Sequence, residues 1–100
     1  MTNQVMEVGT VNACDKAHQA AARAGVTVEM LIDWHRHGHW GNLDRFEKHA
    51  NCVALKEGGT VLSAYDMKPG GMRVLVFTNA SRTHTYVTFP NIPRNKGTLV

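Results

Sequence analysis

The architecture of this chain follows from residues 58–89, GGTVLSAYDMKPGGMRVLVFTNASRTHTYVTF. β-Branched and aromatic residues form three short runs there, 60–66, 72–78 and 83–89, and residues typical of turns separate them. This pattern predicts three strands that form an antiparallel meander. Residues before Gly58 show helical periodicity instead.

Two turns set the predicted strand register. Pro69 and Gly70 suit the central positions of a type II turn, and a short even-length loop through Ala80 and Ser81 joins the last two strands. The predicted cross-strand pairs are Asp66 with Arg73, Ala64 with Leu75, Leu62 with Phe77, Phe77 with His84, Leu75 with Tyr86 and Arg73 with Thr88.

Side chains alternate along a strand, so the meander has two faces. The predicted core face consists of Val61, Ser63, Tyr65, Met72, Val74, Val76, Val87 and Phe89. The opposite face, called here the outer face, is predicted to carry Leu62, Ala64, Leu75, Phe77 and Tyr86 beside Asp66, Arg73, Arg82 and His84. These apolar residues exceed what a solvated sheet usually shows, so we expect something to cover them. The candidates are residues 4–11 as an extra strand, the C-terminal tail, a partner macromolecule or a second copy of the chain, and we favour a homodimer.

Three helices are predicted before the meander. Asn12 caps the first, which ends at Gly25, and Thr27 caps the second. Asp44 and Glu47 form a capping box at the start of the third. The apolar stripe predicted for this third helix is Leu43, Phe46, Ala50, Val53 and Ala54.

The predicted fold class is therefore α+β, with N-terminal helices packed on one face of a C-terminal three-stranded antiparallel β-meander. Residues 1–90 form the single domain, and residues 91–100 are expected to be a flexible tail. The chain has 100 residues, of which 43% are hydrophobic and 19% charged, with a net charge of +3. These values exclude a large multi-substrate enzyme, a disordered chain and a membrane protein. Cys14 and Cys52 match no disulfide or zinc spacing, and with no signal sequence visible we expect buried free thiols and a cytoplasmic location.

Three alternate histidines, His35, His37 and His39, lie between two tryptophans and raise the question of a metal site. Alternate spacing suits a strand better than a helix end, and no cysteine or carboxylate at a familiar spacing completes the set. We therefore predict a polar helix end at these residues, and we predict neither a metal nor another cofactor.

The outer face supplies the other candidate site, formed by Arg73, Arg82, His84 and Tyr86. Arginine can hold a phosphate while histidine or tyrosine moves a proton. Helices followed by a small sheet with such residues resemble RNA-cleaving toxins of the RelE type, which would use Arg82, His84 and Tyr86. In the alternative interpretation, Arg73 pairs with Asp66 and Arg82 only occupies a turn. The basic residues of segment 36–49, with aromatic residues among them, also leave nucleic-acid binding open.

A set of short motifs also carries a family resemblance across residues 25–90. The motifs are His35 with Gly38-x-Trp40-Gly41, Asn51-x-x-Ala54-Leu55-x-x-Gly58, Leu62-Ser63-Ala64-Tyr65, Ser81-Arg82 with Thr85, and Phe89-Pro90. In their order they resemble short proteins of plasmids and integrative elements that are often labelled "plasmid-related protein" or "type I restriction endonuclease subunit M". The second label is not literal, because this chain has no glycine loop for a methyltransferase cofactor.

The resemblance implies a mobile-element accessory protein without a catalytic role. This chain departs from the family at His39, Asn79 and Ala80, where relatives tend to carry acidic residues, and these changes make its surface more positive. We therefore predict a non-enzymatic phage or plasmid protein that binds a host macromolecule, such as a protein or ribonucleoprotein of a defence system, with no membrane partner. The predicted contact residues are Trp40, Arg73, Arg82, His84 and Tyr86.

Overall fold

The computed structural model describes residues 4–67 and 72–89. The chain has an α+β fold with three helices and a four-stranded sheet. In chain order the elements are β1 (Thr10–Ala13), α1 (Asp15–Arg23), α2 (Val28–Arg36), α3 (Arg45–Glu57), β2 (Val61–Met67), β3 (Met72–Thr78) and β4 (His84–Thr88). The predicted turn at Pro69 and Gly70 and the predicted tail at residues 91–100 lie outside the described residues.

The sheet is mixed, so the predicted three-stranded antiparallel meander is incomplete. Its strand order is β1-β4-β3-β2, and β1 runs parallel to β4. Asn12 lies in β1 opposite Tyr86 and does not cap α1, which begins at Asp15. The backbone N–H of Thr10 donates to the carbonyl of Thr83 at 2.9 Å. Long-range backbone pairing of this kind satisfies the segment better than the local capping bond predicted for Asn12.

The β2–β3 register is confirmed, while the β3–β4 register is wrong by two residues. Phe77 lies opposite Tyr86, and Leu75 lies opposite Thr88. The connection is longer than the predicted tight turn because the Asn79 side-chain oxygen accepts hydrogen bonds from the backbone N–H groups of Thr83 and His84. A shift of two residues preserves the side-chain alternation, so the residues of β4 stay on their predicted faces.

Helices α1 and α2 cover the core face of the sheet. The Thr27 hydroxyl accepts a hydrogen bond from the Met30 N–H at 3.2 Å, which confirms the predicted cap of α2. Most of the predicted core face is confirmed, since these residues are buried: Val61, Ser63, Tyr65, Val74, Val76 and Val87. Phe89 is partly buried against this core, and Met72 is 46% exposed.

Helix α3 lies beside the edge strand β2. Its capping box at Asp44 and Glu47 is confirmed. Its predicted apolar stripe is confirmed only in part: Leu43 and Ala54 are buried, but Phe46 is 75% and Val53 is 43% exposed, and Ala50 is exposed as well. Asn51 is also buried, and its amide donates to the Leu62 carbonyl at 2.6 Å and accepts from the Leu62 N–H at 2.9 Å. An edge strand presents unpaired backbone groups, so an amide side chain that pairs with them stabilises the fold more at this position than an apolar side chain would.

The predicted extra strand at residues 4–11 is confirmed only in part: Thr10 and Val11 belong to β1, which extends the sheet beside β4 and does not lie over its outer face. Met6 packs with Ala54 and Val61 on the core side.

Both cysteines, Cys14 and Cys52, are free but exposed, so the prediction of buried thiols is wrong. None of the helices within residues 4–67 and 72–89 combines the length and the apolar character needed to cross a bilayer.

Candidate binding surface

Three rings form a continuous row on the outer face of the sheet. Phe77 and Tyr86 are cross-strand partners with ring centroids 5.2 Å apart, and the His84 ring stacks on Tyr86 at 6.2 Å. We call these three residues the aromatic row. Contacts between rings on adjacent strands stabilise the sheet and hold the rings in one arrangement.

The aromatic row is accessible to solvent. Tyr86 is 37% exposed, and Phe77 and His84 are partly exposed. Leu62 and Leu75 beside the row are also partly exposed. Among the described elements, α1 and α2 pack on the opposite face and α3 packs beside β2. The outer face is thus an apolar and aromatic surface of the kind that binds other molecules.

Arg73 lies next to this surface in an ion pair. Its Nε lies 2.9 Å from Oδ1 of Asp66, its cross-strand partner, as the alternative interpretation predicted. Both side chains are more than a third exposed, so the pair contributes little to folding stability. Arg73 can therefore exchange this partner for another acceptor at small cost.

Arg82 does not lie on the outer face, contrary to the prediction. It adopts a positive φ of 60° in the β3–β4 connection. Its guanidinium donates to the carbonyls of Ala54 (3.1 Å), Gly59 and Asn79 (3.0 Å). The Ala54 carbonyl, which also accepts from the Gly58 N–H, belongs to the last turn of α3, where a cation is favourable. Arg82 thus joins the end of α3 to the sheet.

Replacement of Arg82 by methionine should destabilise the fold. The variant keeps most of the aliphatic stem but loses three hydrogen bonds from a charged donor, so we expect the free energy of unfolding to fall by about 2–3 kcal/mol. Urea denaturation followed by circular dichroism measures this change. Arg73→Met is the matched control, with an expected loss of at most about 1 kcal/mol. Equal losses in the two variants would contradict the structural role of Arg82.

His35 lies in the core and not at a polar helix end. Its side chain is fully buried, with Nδ1 2.6 Å from the Ser63 hydroxyl and Nε2 2.9 Å from the Thr78 hydroxyl. Thr78 in turn lies 2.6 Å from the Thr85 hydroxyl, which donates to the Val8 carbonyl.

This chain of hydrogen bonds fixes the tautomer of His35. The Thr85 hydroxyl donates its hydrogen to the Val8 carbonyl, so it must accept from the Thr78 hydroxyl. Thr78 must then accept from Nε2 of His35, and Nδ1 accepts from Ser63. The neutral ring therefore satisfies every hydroxyl in the network. Burial, and secondarily the positive charge of Arg82, lower the pKa of His35 to about 4.

The three alternate histidines do not converge. The Nδ1–H of His37 donates to the Asp33 carbonyl of its own helix at 2.7 Å, while His39 is exposed and His35 is enclosed. Within the residues described, no group of three metal-ligating side chains comes together. The polar helix end that the sequence predicted thus applies to His37 alone.

Trp40 is separate from the aromatic row. It is half-buried against Met6, Ala54 and Val61, and its carbonyl accepts from the Ala64 N–H at 3.1 Å on the edge of β2. Strand β3 lies between this edge and β4, which carries Tyr86. Of the five predicted contact residues, His84 and Tyr86 contact each other. Arg73 shares their face of the sheet but lies four residues along β3 from Phe77, the partner of Tyr86.

Phe77 belongs to the candidate surface, although it was absent from the predicted contact residues. Alternation along β3 placed it on the correct face, but the predicted register put His84 opposite it in place of Tyr86. The preference of Asn79 for accepting backbone hydrogen bonds was the signal in the sequence that pointed to a longer loop.

No family model, curated protein or solved structure matches this chain.

Proposed function

We propose that this protein acts by binding a host macromolecule through its outer sheet face, without catalytic turnover. The observation that carries the proposal is the aromatic row, Phe77, Tyr86 and His84, which is ordered by mutual contact and accessible to solvent. Rigid aromatic side chains bury large areas on binding and lose little conformational entropy. Arg73 adds a directional donor at the edge of the surface.

The biological context we propose is a phage or plasmid accessory protein of the cytoplasm that acts on a host defence component. The support comes from the motifs that resemble plasmid-related proteins, because many of their residues contact one another. The contacts join Gly41 with Ala64, Asn51 with Leu62, His35 with Ser63, and Arg82 with Ala54. Residues so joined specify one fold, which makes a common fold the simplest reason for their joint occurrence.

Substitutions on the aromatic row should abolish partner binding without unfolding the chain. Phe77→Thr and Tyr86→Thr retain a residue suited to a strand but remove the rings, so we expect each to weaken binding at least about 30-fold. The measurement is affinity capture from host lysate with tagged protein, followed by titration of the captured component. Nuclease treatment of the lysate distinguishes a protein from a ribonucleoprotein partner.

Phe46→Ser is the matched control, because Phe46 is more exposed than either ring and lies on α3. It should bind like the unmodified chain. An equal loss of affinity in all three variants would indicate non-specific hydrophobic binding. Unchanged binding by Phe77→Thr and Tyr86→Thr would overturn the proposal.

RNA is the second candidate partner, and the stacked rings of His84 and Tyr86 favour it. Bases stack on such rings, and the chain carries a net charge of +3. A RelE-like cleavage reaction is less well supported. The guanidinium of Arg82 is engaged by three backbone carbonyls, whereas His84 and Tyr86 belong to the aromatic row. RNA degradation by the purified protein that is lost in folded His84→Ala would decide for the toxin.

The same face also supports the homodimer that the sequence predicts. Two copies that pair their outer faces would cover Leu62, Leu75 and the aromatic row. Sedimentation analysis of the purified protein separates the two states: a dimer that dissociates in Tyr86→Thr indicates that the face is shared between self-association and partner binding.

A further inference from the structure

A second surface feature lies at the opposite side of the sheet, where α2, α3 and β2 meet. It is a cleft of about 520 Å³, within the size range of about 300–1,000 Å³ that is typical of small-molecule sites. Trp34, Trp40 and Tyr65 provide aromatic walls, and Lys48 and His39 provide polar groups. The remaining lining is two glycines of the connection between α2 and α3, which leave its backbone uncovered.

The cleft offers positive charge and hydrogen-bond donors but no carboxylate among its lining residues. Lys48 is exposed and forms no ion pair with the described residues. The Tyr65 hydroxyl donates to the His39 carbonyl at 2.5 Å, and burial raises the pKa of Tyr65 to about 12, so it stays uncharged. A negatively charged ligand would thus meet no like charge on the walls.

Trp40 contributes an unsatisfied donor to this region. Its indole Nε1 is buried and has no hydrogen-bond acceptor among the described residues. A buried donor without a partner costs about 1–3 kcal/mol. A modest movement of the half-buried indole towards an acceptor in the cleft would recover part of this cost, so ligand binding and ring movement should be coupled.

We propose that the cleft binds a small aromatic anion, whose ring lies against the two indoles and whose negative group pairs with Lys48. An acceptor atom of the ligand would take the hydrogen bond of the Trp40 indole once that ring has moved. The shared chemistry is a planar ring that carries either a carboxylate or a phosphate. This site is separate from the outer face, so it does not depend on partner binding there.

The two tryptophans make the test direct, because the chain contains only two and both line the cleft. Benzoate and adenosine 5′-monophosphate serve as the carboxylate and phosphate probes, and benzamide and adenosine as their uncharged controls. Binding is followed by the two indole N–H resonances in ¹H–¹⁵N spectra, with Trp34→Phe and Trp40→Phe used for assignment. We expect at least one anionic probe to shift both resonances with a Kd of about 1 mM or tighter.

Lys48→Gln should raise the Kd for that probe about fivefold, because it removes one exposed charge pair. Lys56 lies on the same helix but does not line the cleft, so Lys56→Gln should leave the Kd unchanged. Preference for benzoate over the nucleotide identifies a carboxylate ligand, and the reverse identifies a phosphate ligand. The proposal is overturned if neither anion gives a saturable shift, if the uncharged controls bind as tightly, or if Lys48→Gln has no effect.

Discussion

Acidification from pH 6.5 to pH 4 should remove about 3 kcal/mol of folding stability through His35 alone. Burial of the ring, followed by repulsion from Arg82, lowers the pKa of His35 from 6.5 to about 4. Between these values the unfolded chain binds a proton at this residue and the folded chain does not. Stability therefore rises with pH across this window and is fully present above pH 6.5.

The measurement is urea denaturation of the unmodified chain and of His35→Gln at several pH values between 7 and 4. The variant is expected to be less stable at pH 7, because the amide cannot reproduce both ring contacts with Ser63 and Thr78. Its stability should nevertheless fall less on acidification, since the coupled titration is absent. The difference between the two curves isolates His35 from the carboxylates that titrate in the same range.

His39→Gln provides the control, because His39 is an exposed histidine on the connection that follows α2. It should retain the steep pH dependence of the unmodified chain. A His35→Gln curve that runs parallel to the unmodified one would show that the buried ring is not responsible for the acid sensitivity.

Local chemistry explains what the sequence predicted well. The caps at Thr27 and at Asp44 with Glu47 involve residues three positions apart, so they form irrespective of the rest of the fold. The β2–β3 register is similarly local, because a short connection and alternation on both sides leave few alternatives. The solvent-accessible positions of Leu62, Leu75, Phe77 and Tyr86 on the outer face were predictable for the same reason, whereas Ala64 is buried.

Long-range demands explain what the sequence did not reveal. Nothing in Thr10–Ala13 marks β4 as its partner, because parallel pairing depends on distant backbone groups. Asn51 and Arg82 look like surface residues in sequence, yet each satisfies backbone groups of another element. Apolar periodicity placed Ala54 correctly on the buried side of α3 but missed Asn51, since the edge of β2 requires a polar side chain there.

Gly41→Ala should strongly destabilise the fold. Gly41 has a positive φ of 75° and forms a parallel bridge with Ala64 on the edge of β2. A Cβ at this position would lie 2.2 Å from the Ala64 carbonyl oxygen and 2.6 Å from the Tyr65 ring. Backbone strain of about 1–2 kcal/mol and overpacking of about 1–3 kcal/mol together predict a loss of about 4 kcal/mol.

Gly25→Ala separates these two contributions. Gly25 has a similar φ of 80°, but a Cβ there would meet no atom within 4 Å. Gly25→Ala should therefore lose only the stability that backbone strain costs, about 1–2 kcal/mol of unfolding free energy in urea denaturation. The excess loss in Gly41→Ala then measures how closely the α2–α3 connection is held against β2. If the two variants lose the same stability, the connection has room to move away from Ala64, and the closed edge of β2 is looser than the bridge implies.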